Sequence, residues 1–142
     1  MHVRSFQLSD YHSVTVLLQN CLSEDCFDET IKAFAKQLHW DGELVLVAEE
    51  QEEVIGLIIG TIDNDNGYYY RVAVEPSHRR KGVGKLLIES MRQRFLQRHV
   101  HKIIVNVDQF NERILPVYES AGYSASDFSR ANGLSILKQA SM

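Results

Sequence analysis

Segments rich in branched and aromatic residues alternate along this chain with segments whose apolar residues recur at helical spacing. Residues 2–6, 44–48, 54–62, 68–74 and 103–107 are of the first kind and predict strands. Only residues 49–53 separate the second strand from the third, so this pair predicts a hairpin.

Helices are predicted where apolar residues fall on one face of a 3.6-residue period. The three faces are Val14, Leu17, Leu18 and Cys21; Phe27, Ile31, Phe34, Ala35 and Leu38; and Val83, Leu86, Leu87, Met91 and Phe95. The third helix is expected to span residues 82–98. A shorter fourth helix is expected between residues 111 and 121, with Pro116 delaying its start or bending it.

Polar and glycine-containing segments mark the boundaries of these elements. Ser9 or Asp10 is the expected N-cap of the first helix, and Gly122 is expected just after the end of the fourth. Residues 63–67 give the strongest turn signal, in which Asn66-Gly67 suits a positive φ. Residues 123–128 and 134–137 are expected to form two closing strands.

This order of elements predicts an α/β or α+β fold with one central mixed sheet. The chain has 142 residues, of which 44% are hydrophobic and 24% charged, so a single globular domain over residues 1–142 is expected. No apolar run reaches the ~20 residues that span a bilayer, and the N-terminus lacks the apolar core of a signal peptide.

The cysteines and histidines argue against a disulfide framework and against a metal site. Cys21 and Cys26 are neither a CxxC pair nor half of a zinc site, so reduced thiols and a cytoplasmic location are expected. His99 and His101 have no third ligand at a recognisable spacing, which argues against a bound metal.

A basic, glycine-containing stretch at residues 77–87 is the most informative part of the sequence. Four cationic side chains lie within seven positions of a protein whose net charge is −4, which favours a specific anionic ligand over nucleic acid. The stretch directly precedes the third helix, whose unpaired N–H groups suit a phosphate. Gly82 and Gly84 have no Cβ, so a diphosphate is expected to approach the backbone closely.

Two common phosphate motifs do not fit this stretch. A dinucleotide-binding fingerprint needs glycine or alanine where Leu87 stands. A Walker A loop needs serine or threonine at Leu86 and glycine at Arg79. What remains is an Arg-x-x-Gly-x-Gly pattern at residues 79–84 that follows a predicted strand.

Residues 70–87 resemble the signature of the GNAT superfamily of N-acetyltransferases, which consists of a strand, a turn with proline, a glycine loop and a long helix. A second resemblance comprises Asn111 and residues 116–123, with Tyr123 where phenylalanine is commoner. Together with the flanking pattern of strands and helices, the resemblance covers nearly the whole chain. They imply the GNAT fold, a central mixed, mostly antiparallel twisted sheet with helices on both faces.

The resemblance implies an acetyl-CoA-dependent N-acetyltransferase in which a primary amine attacks the thioester directly. The alternative is a GNAT-fold sensor or partner module that binds acyl-CoA without turnover. The implied acetyl-CoA-binding residues are Val72, Ala73, Val74, Arg79, Arg80, Lys81, Gly82, Val83, Gly84, Lys85 and Asn111. The strand at residues 72–74 would offer an unpaired edge to the pantetheine amides, because in the family it splays from the next strand.

The resemblance also implies that Tyr118 is the general acid, since a phenol stays protonated at neutral pH and can protonate a departing thiolate. The general base departs from the family pattern, because Tyr68 and Asn106 stand where a glutamate is usual. Glu75 is the predicted substitute, with Asp108 or a histidine acting through water as the alternatives. The missing glutamate favours either an acceptor amine of low pKa or deprotonation through water.

The acceptor is only partly indicated by the sequence. Glu24, Asp25 and Asp28 lie where the family builds its acceptor wall, which favours a cationic amine, although the same acids can stabilise the start of the second helix. A polyamine, an aminoglycoside-like amine and a protein N-terminus or lysine all stay open. No nucleic-acid or membrane partner is expected, and a homodimer is expected only because many relatives form one.

Overall fold

The structure, a computed structural model, describes residues 1–130. Its helices are α1 Tyr11–Cys21, α2 Glu24–Asp41, α3 Val83–Gln97 and α4 Leu115–Ser120. Its strands are β1 His2–Ser5, β2 Val45–Glu50, β3 Glu53–Asp63, β4 Asn66–Val74, β5 Lys102–Asn106 and β6 Phe128–Ser129. None of these helices in the described part of the chain is long and apolar enough to cross a membrane.

The strands form one sheet in the order β1-β2-β3-β4-β5-β6. The first four strands pair antiparallel, whereas β5 lies parallel to β4 and β6 lies parallel to β5. Helix α3 makes the crossover from β4 to β5, as parallel pairing requires. The prediction of a mixed, mostly antiparallel sheet is confirmed.

Helices cover both faces of this sheet, each over its own buried cluster. One cluster is built around Leu87, Met91 and Phe95 of α3, and the other around Leu18 of α1 and Phe34 of α2. All five residues are fully buried. Helices on both faces were predicted and are confirmed, while a single domain over residues 1–142 stays a prediction.

A β-bulge in β4 changes which residues face α2. Ile59 pairs with Arg71, but the next residue, Gly60, pairs with Tyr69, so Tyr70 is an extra residue on β4. As a result Tyr70 and Arg71 both direct their side chains towards α2, instead of alternating between the two faces.

The sequence prediction for the turn between β3 and β4 needs correction. The positive φ values of the β3–β4 turn belong to Asn64 (53°) and Asp65 (65°). A Cβ on Gly67 would lie 2.9 Å from the Phe95 ring, so that glycine permits close packing of α3 and does not form the turn. Pro116 does delay α4, which begins at Leu115 after a 3-10 turn.

The strand predicted at residues 123–128 is wrong over most of its length. Ala125–Asp127 is a 3-10 turn, and β6 contains only the two residues that follow it. Ser124 N–H donates to Asp127 Oδ2 (2.9 Å) and Asp127 N–H donates to the Ser124 carbonyl (2.8 Å). Such local bonds compete with strand pairing. The strand predicted at residues 134–137 lies outside the described residues.

An ion pair fastens β1 to the start of α1. Arg4 donates from Nη1 to Asp10 Oδ2 (2.8 Å) and from Nη2 to Asp10 Oδ1 (2.9 Å). Gln7 N–H also donates to Asp10 Oδ2 (2.8 Å). Asp10 occupies the N-cap position of α1, as one of the two predicted candidates, but its side chain accepts no bond from that helix. The hydrogen bond from Arg4 is the main reason that the Asp10 pKa lies below its usual value.

The Asp10→Asn variant is expected to lose about 2 kcal/mol of unfolding free energy at pH 7, because it removes charge-assisted bonds. The folded-state pKa of Asp10 lies below the unfolded value of about 3.9, so this stabilisation is present above that pH. It is lost as the pH falls through the folded-state pKa. Urea unfolding of both proteins at pH 7 and in acid tests this; a difference of equal size at both pH values contradicts it.

Candidate active site

The parallel strands β4 and β5 separate part-way along their length. They pair from Asn66 with Lys102 to Tyr69 with Val105, and no further pair follows within residues 1–130. Five residues of β4 therefore continue beyond the last pair, and we call the gap between the two separated strands the cleft. This is the splaying that the resemblance implied.

Only alternate residues of β4 present their main chain to this cleft. Glu75 N–H donates to the Ile55 carbonyl on the β3 side (2.8 Å), so by strand alternation Ala73 also faces β3. The main-chain groups of Val72 and Val74 consequently face the cleft. Of the three implied contacts in β4, these two are available to a ligand and Ala73 is directed away from it.

The Val74 carbonyl already has two donors. Arg79 Nε lies 3.1 Å from this oxygen, and the Cys21 Sγ lies 3.3 Å from it. Cys21 was predicted to be part of the core, and it is half-buried at the end of α1. Arg79 thus connects the glycine loop to the edge of β4.

The glycine loop leaves a series of backbone donors exposed. Arg80 (φ 65°) and Gly82 (φ 82°) adopt left-handed conformations, and α3 begins at Val83 with no side chain capping it. The N–H groups of residues 80–85 have no hydrogen-bond acceptor in the described chain. Successive N–H groups in such a turn, together with a helix N-terminus, form an anion-binding concavity.

The two glycines of this loop have different roles. A Cβ on Gly82 would meet nothing within 4 Å, whereas a Cβ on Gly84 would lie 3.1 Å from Val117 Cγ1. The sequence interpretation that both glycines open the backbone to a diphosphate stays a prediction, and Gly84 has a packing role as well. Its missing Cβ lets α3 pack closely against α4, which positions the residue after Val117.

That residue is Tyr118, which is 0% exposed. Its ring lies 5.5 Å from that of Tyr69, and it belongs to the same buried cluster as Val74 and Val107, at the ends of the two splayed strands. Its hydroxyl has no hydrogen-bond partner among the residues that the structure describes. Burial raises the pKa of Tyr118, so the phenol is protonated at neutral pH.

Tyr123, which replaces the commoner phenylalanine, has a partner for its hydroxyl. Tyr69 donates to the Ile88 carbonyl (3.3 Å) and accepts from Tyr123. The Tyr69 ring in turn lies against Tyr118. The departure from the family pattern is accommodated by a buried hydrogen bond beside the general-acid candidate.

Arg71 is the principal site feature that sequence reasoning missed. Its side chain is 2% exposed and extends from β4 across the cleft. Nη1 donates to Asp108 Oδ1 after β5 (3.1 Å), and Nε donates to Thr30 Oγ1 of α2 (3.0 Å). Nη2 lies 3.5 Å from Glu29 Oε2 and donates to the Tyr70 hydroxyl (3.3 Å). The only sequence signal was a lone arginine within an apolar strand.

Asn111, implied to contact pantetheine, braces the loop after β5. Its Nδ2 donates to the Asn106 carbonyl (2.7 Å), and its Oδ1 accepts from Asp108 N–H (2.8 Å). The residue is 4% exposed. Its role towards a ligand stays a prediction, whereas its role in fixing Asp108 is visible in these bonds.

Glu75, the predicted base, caps the turn that follows β4. Its Oε2 accepts from the Ser77 hydroxyl and from Ser77 N–H (2.8 Å). These bonds, with a smaller contribution from His78, lower the pKa of Glu75. The role of Glu75 as a base towards an acceptor amine stays a prediction.

The sequence of this chain matches a family of known proteins. The sequence profile of the acetyltransferase (GNAT) family matches residues 11–123, which is more than half of the chain. The chain belongs to this GNAT family. The predicted superfamily and the prediction of an acetyltransferase enzyme are confirmed.

GNAT proteins of known sequence and structure match over most of this chain. Acetyltransferase YE1169 of Yersinia enterocolitica is 28% identical over 127 residues, which are 89% of this chain and 90% of that protein. The ribosomal-protein-S18-alanine N-acetyltransferase of Escherichia coli has a TM-score of 0.65 at 20% identity, covering 87% of this chain and 77% of its own. PaiA N-acetyltransferase of Thermoplasma acidophilum, in complex with coenzyme A, has a TM-score of 0.68 at 16% identity. The match covers 87% of this chain and 89% of that protein. The two structural likenesses show the GNAT fold.

Proposed function

We propose that this protein transfers the acetyl group of acetyl-CoA to a primary amine, which attacks the thioester directly in the β4–β5 cleft. The observation that carries the proposal is the Tyr118 hydroxyl. It is fully buried, protonated, and without an acceptor among residues 1–130, and its residue lies in the same buried cluster as Val74 and Val107 at the ends of the separated strands. A buried donor without a partner is costly, so its retention favours an acceptor supplied by a substrate.

The cleft and the glycine loop suit the two ends of acetyl-CoA. The N–H groups of residues 80–85 would hold the diphosphate, and the exposed side chains of Arg80, Lys81 and Lys85 would add screened charge. The main chain of Val72 and Val74 would pair with the pantetheine amides as an added strand does. Arg79 would have to release the Val74 carbonyl and is then free to face the diphosphate. A structural relative that holds coenzyme A shares this fold.

Bound acetyl-CoA supplies an activated acyl group, and the protein's own groups manage charge and protons around it. The Val74 N–H points into the cleft, where it would stabilise negative charge that develops on the acyl oxygen. Tyr118 would donate its proton to the departing sulfur. The deeply buried cluster around Tyr118 excludes water from this end of the cleft.

Gly82→Ala is expected to raise the dissociation constant of CoA at least about tenfold, because a Cβ would occupy the open space over the loop N–H groups. Gly122→Ala is the matched control. Gly122 also has a positive φ (103°) and nothing within 4 Å of a built Cβ, but it lies outside the loop. Both variants share a backbone strain of about 1–2 kcal/mol. Calorimetric titration with CoA checks this, and equal affinities for the two variants would remove the loop from the donor site.

Tyr118→Phe is expected to lower kcat about 10²-fold while the CoA dissociation constant stays near wild type. Because the hydroxyl has no partner in the described chain, its removal is expected to raise the unfolding free energy by about 1 kcal/mol. Thiol release from acetyl-CoA is measured with spermidine, kanamycin and a peptide with a free N-terminus. A Phe variant with unchanged kcat excludes Tyr118 from the mechanism. Tight CoA binding by wild type without turnover of any amine supports the non-catalytic alternative.

A further inference from the structure

The two carboxylate oxygens of Asp108 are used unequally. Oδ1 accepts from Arg71 Nη1 (3.1 Å) and from Phe110 N–H (2.9 Å). Oδ2 is buried and has no hydrogen-bond partner in the part of the chain that the structure describes. The side chain as a whole is only 10% exposed. A buried carboxylate oxygen without a donor is costly, so the arrangement favours a ligand that donates to Oδ2.

Asp108 lies at the point where the cleft opens. The last pair between the strands is Tyr69 with Val105, and Arg71 and Asp108 face each other just beyond it. Arg71 reaches Asp108 from the face covered by α2, whereas Tyr118 belongs to the cluster covered by α3. The two faces meet at the end of β5, because Val107, the residue before Asp108, lies in the same buried cluster as Tyr118.

The surroundings of Asp108 fit a donor ligand that is basic. Arg71 directs its Nε, Nη1 and Nη2 groups to Thr30, Asp108 and Tyr70. Its charge is opposed by two carboxylates, those of Asp108 and Glu29, so the guanidinium does not repel a cationic acceptor. This network leaves Asp108 Oδ2, an oxygen of an anionic carboxylate, for a ligand.

We propose that Asp108 Oδ2 receives an N–H of the acceptor amine and takes a proton from its nitrogen as the C–N bond forms, with Arg71 and Asn111 as positioning residues. This inference rests on the acetyl-transfer function proposed above and supplies the base that the family's usual positions lack. Sequence reasoning had left Asp108 as one of several alternatives to Glu75.

The proton balance of this step is complete. The acceptor ammonium first loses one proton to solvent, which is easier for an α-amine (pKa about 7.7–8.0) than for lysine (about 10.4). The nitrogen lone pair then bonds to the acyl carbon, one N–H proton passes to Asp108 Oδ2, and the C–S bond breaks. Sulfur takes its proton from Tyr118. Asp108 returns its proton to solvent and Tyr118 regains one, so one proton is released per acetyl group transferred.

Asp108→Asn is the direct test, because asparagine keeps an oxygen for Arg71 and Phe110 but removes the anionic oxygen. We expect kcat/KM for the panel amine that wild type acetylates fastest to fall about 10²-fold or more, and the CoA dissociation constant to stay within about twofold. Asp10→Asn is the matched control. It also removes a buried carboxylate that an arginine holds, but three strands away from β4, so its kcat/KM is expected to equal that of wild type.

A measurement on the wild-type protein covers the case in which Asp108→Asn does not fold. In the presence of CoA without an acetyl group, titration with the same amine is expected to shift the carboxyl carbon resonance of Asp108 and not that of Asp10. The titratable groups whose resonances are followed in parallel are Arg71, which pairs with Asp108, Tyr70 and Glu29, which contact Arg71, and also Cys26 and Tyr118.

Each outcome decides one of the two proposals. Wild-type turnover together with undiminished kcat/KM in Asp108→Asn overturns the role of Asp108 and leaves the acetyl-transfer function intact. An unshifted Asp108 resonance at an amine concentration that saturates wild-type turnover overturns it as well. Failure of wild type to acetylate any panel amine overturns the proposed function, and this inference falls with it.

Discussion

A buried arginine bridges β4 and the segment after β5 where the two strands separate. After the last strand pair, Arg71 extends from β4 to Asp108 and to α2, so an ion pair replaces the backbone ladder that would otherwise close the sheet. Breaking such a buried pair costs about 3–5 kcal/mol, because it leaves an uncompensated charge. The interaction therefore links the two separated strands through Asp108 Oδ1, while Oδ2 stays buried without a partner in the described chain.

The donor side of the cleft depends on close packing between α3 and α4. The absence of a Cβ on Gly84 permits contact with Val117, and the next residue is Tyr118, whose hydroxyl is buried without a partner in the described chain. The same helix α3 begins with the uncapped N–H groups of the glycine loop. One helix thus fixes both the anion-binding loop and the proposed acid. A buried polar atom without a partner lowers the free energy of unfolding, and proteins retain such atoms where function needs them.

Much of this arrangement was predictable from local pattern. The hairpin, the helices α1 to α3, the strand before the glycine loop and the late start of α4 follow from apolar periodicity and proline chemistry, and the resemblance pointed to Tyr118. The role of Arg71 was not predictable, because the bulge at Tyr70 moves its side chain to the α2 face against simple alternation. Residues 123–128 were misassigned because the bonds between Ser124 and Asp127 outweigh their strand character.

Amide hydrogen exchange reports whether the extended arm of acetyl-CoA binds along the cleft edge of β4, as proposed above. The N–H groups of Val72 and Val74 face the cleft, whereas that of Ala73 faces β3 and serves as an internal reference within the same strand. On saturation with CoA, exchange at Val72 and Val74 is expected to slow while exchange at Ala73 stays unchanged. Unchanged exchange at Val72 and Val74 in the saturated protein would contradict the account.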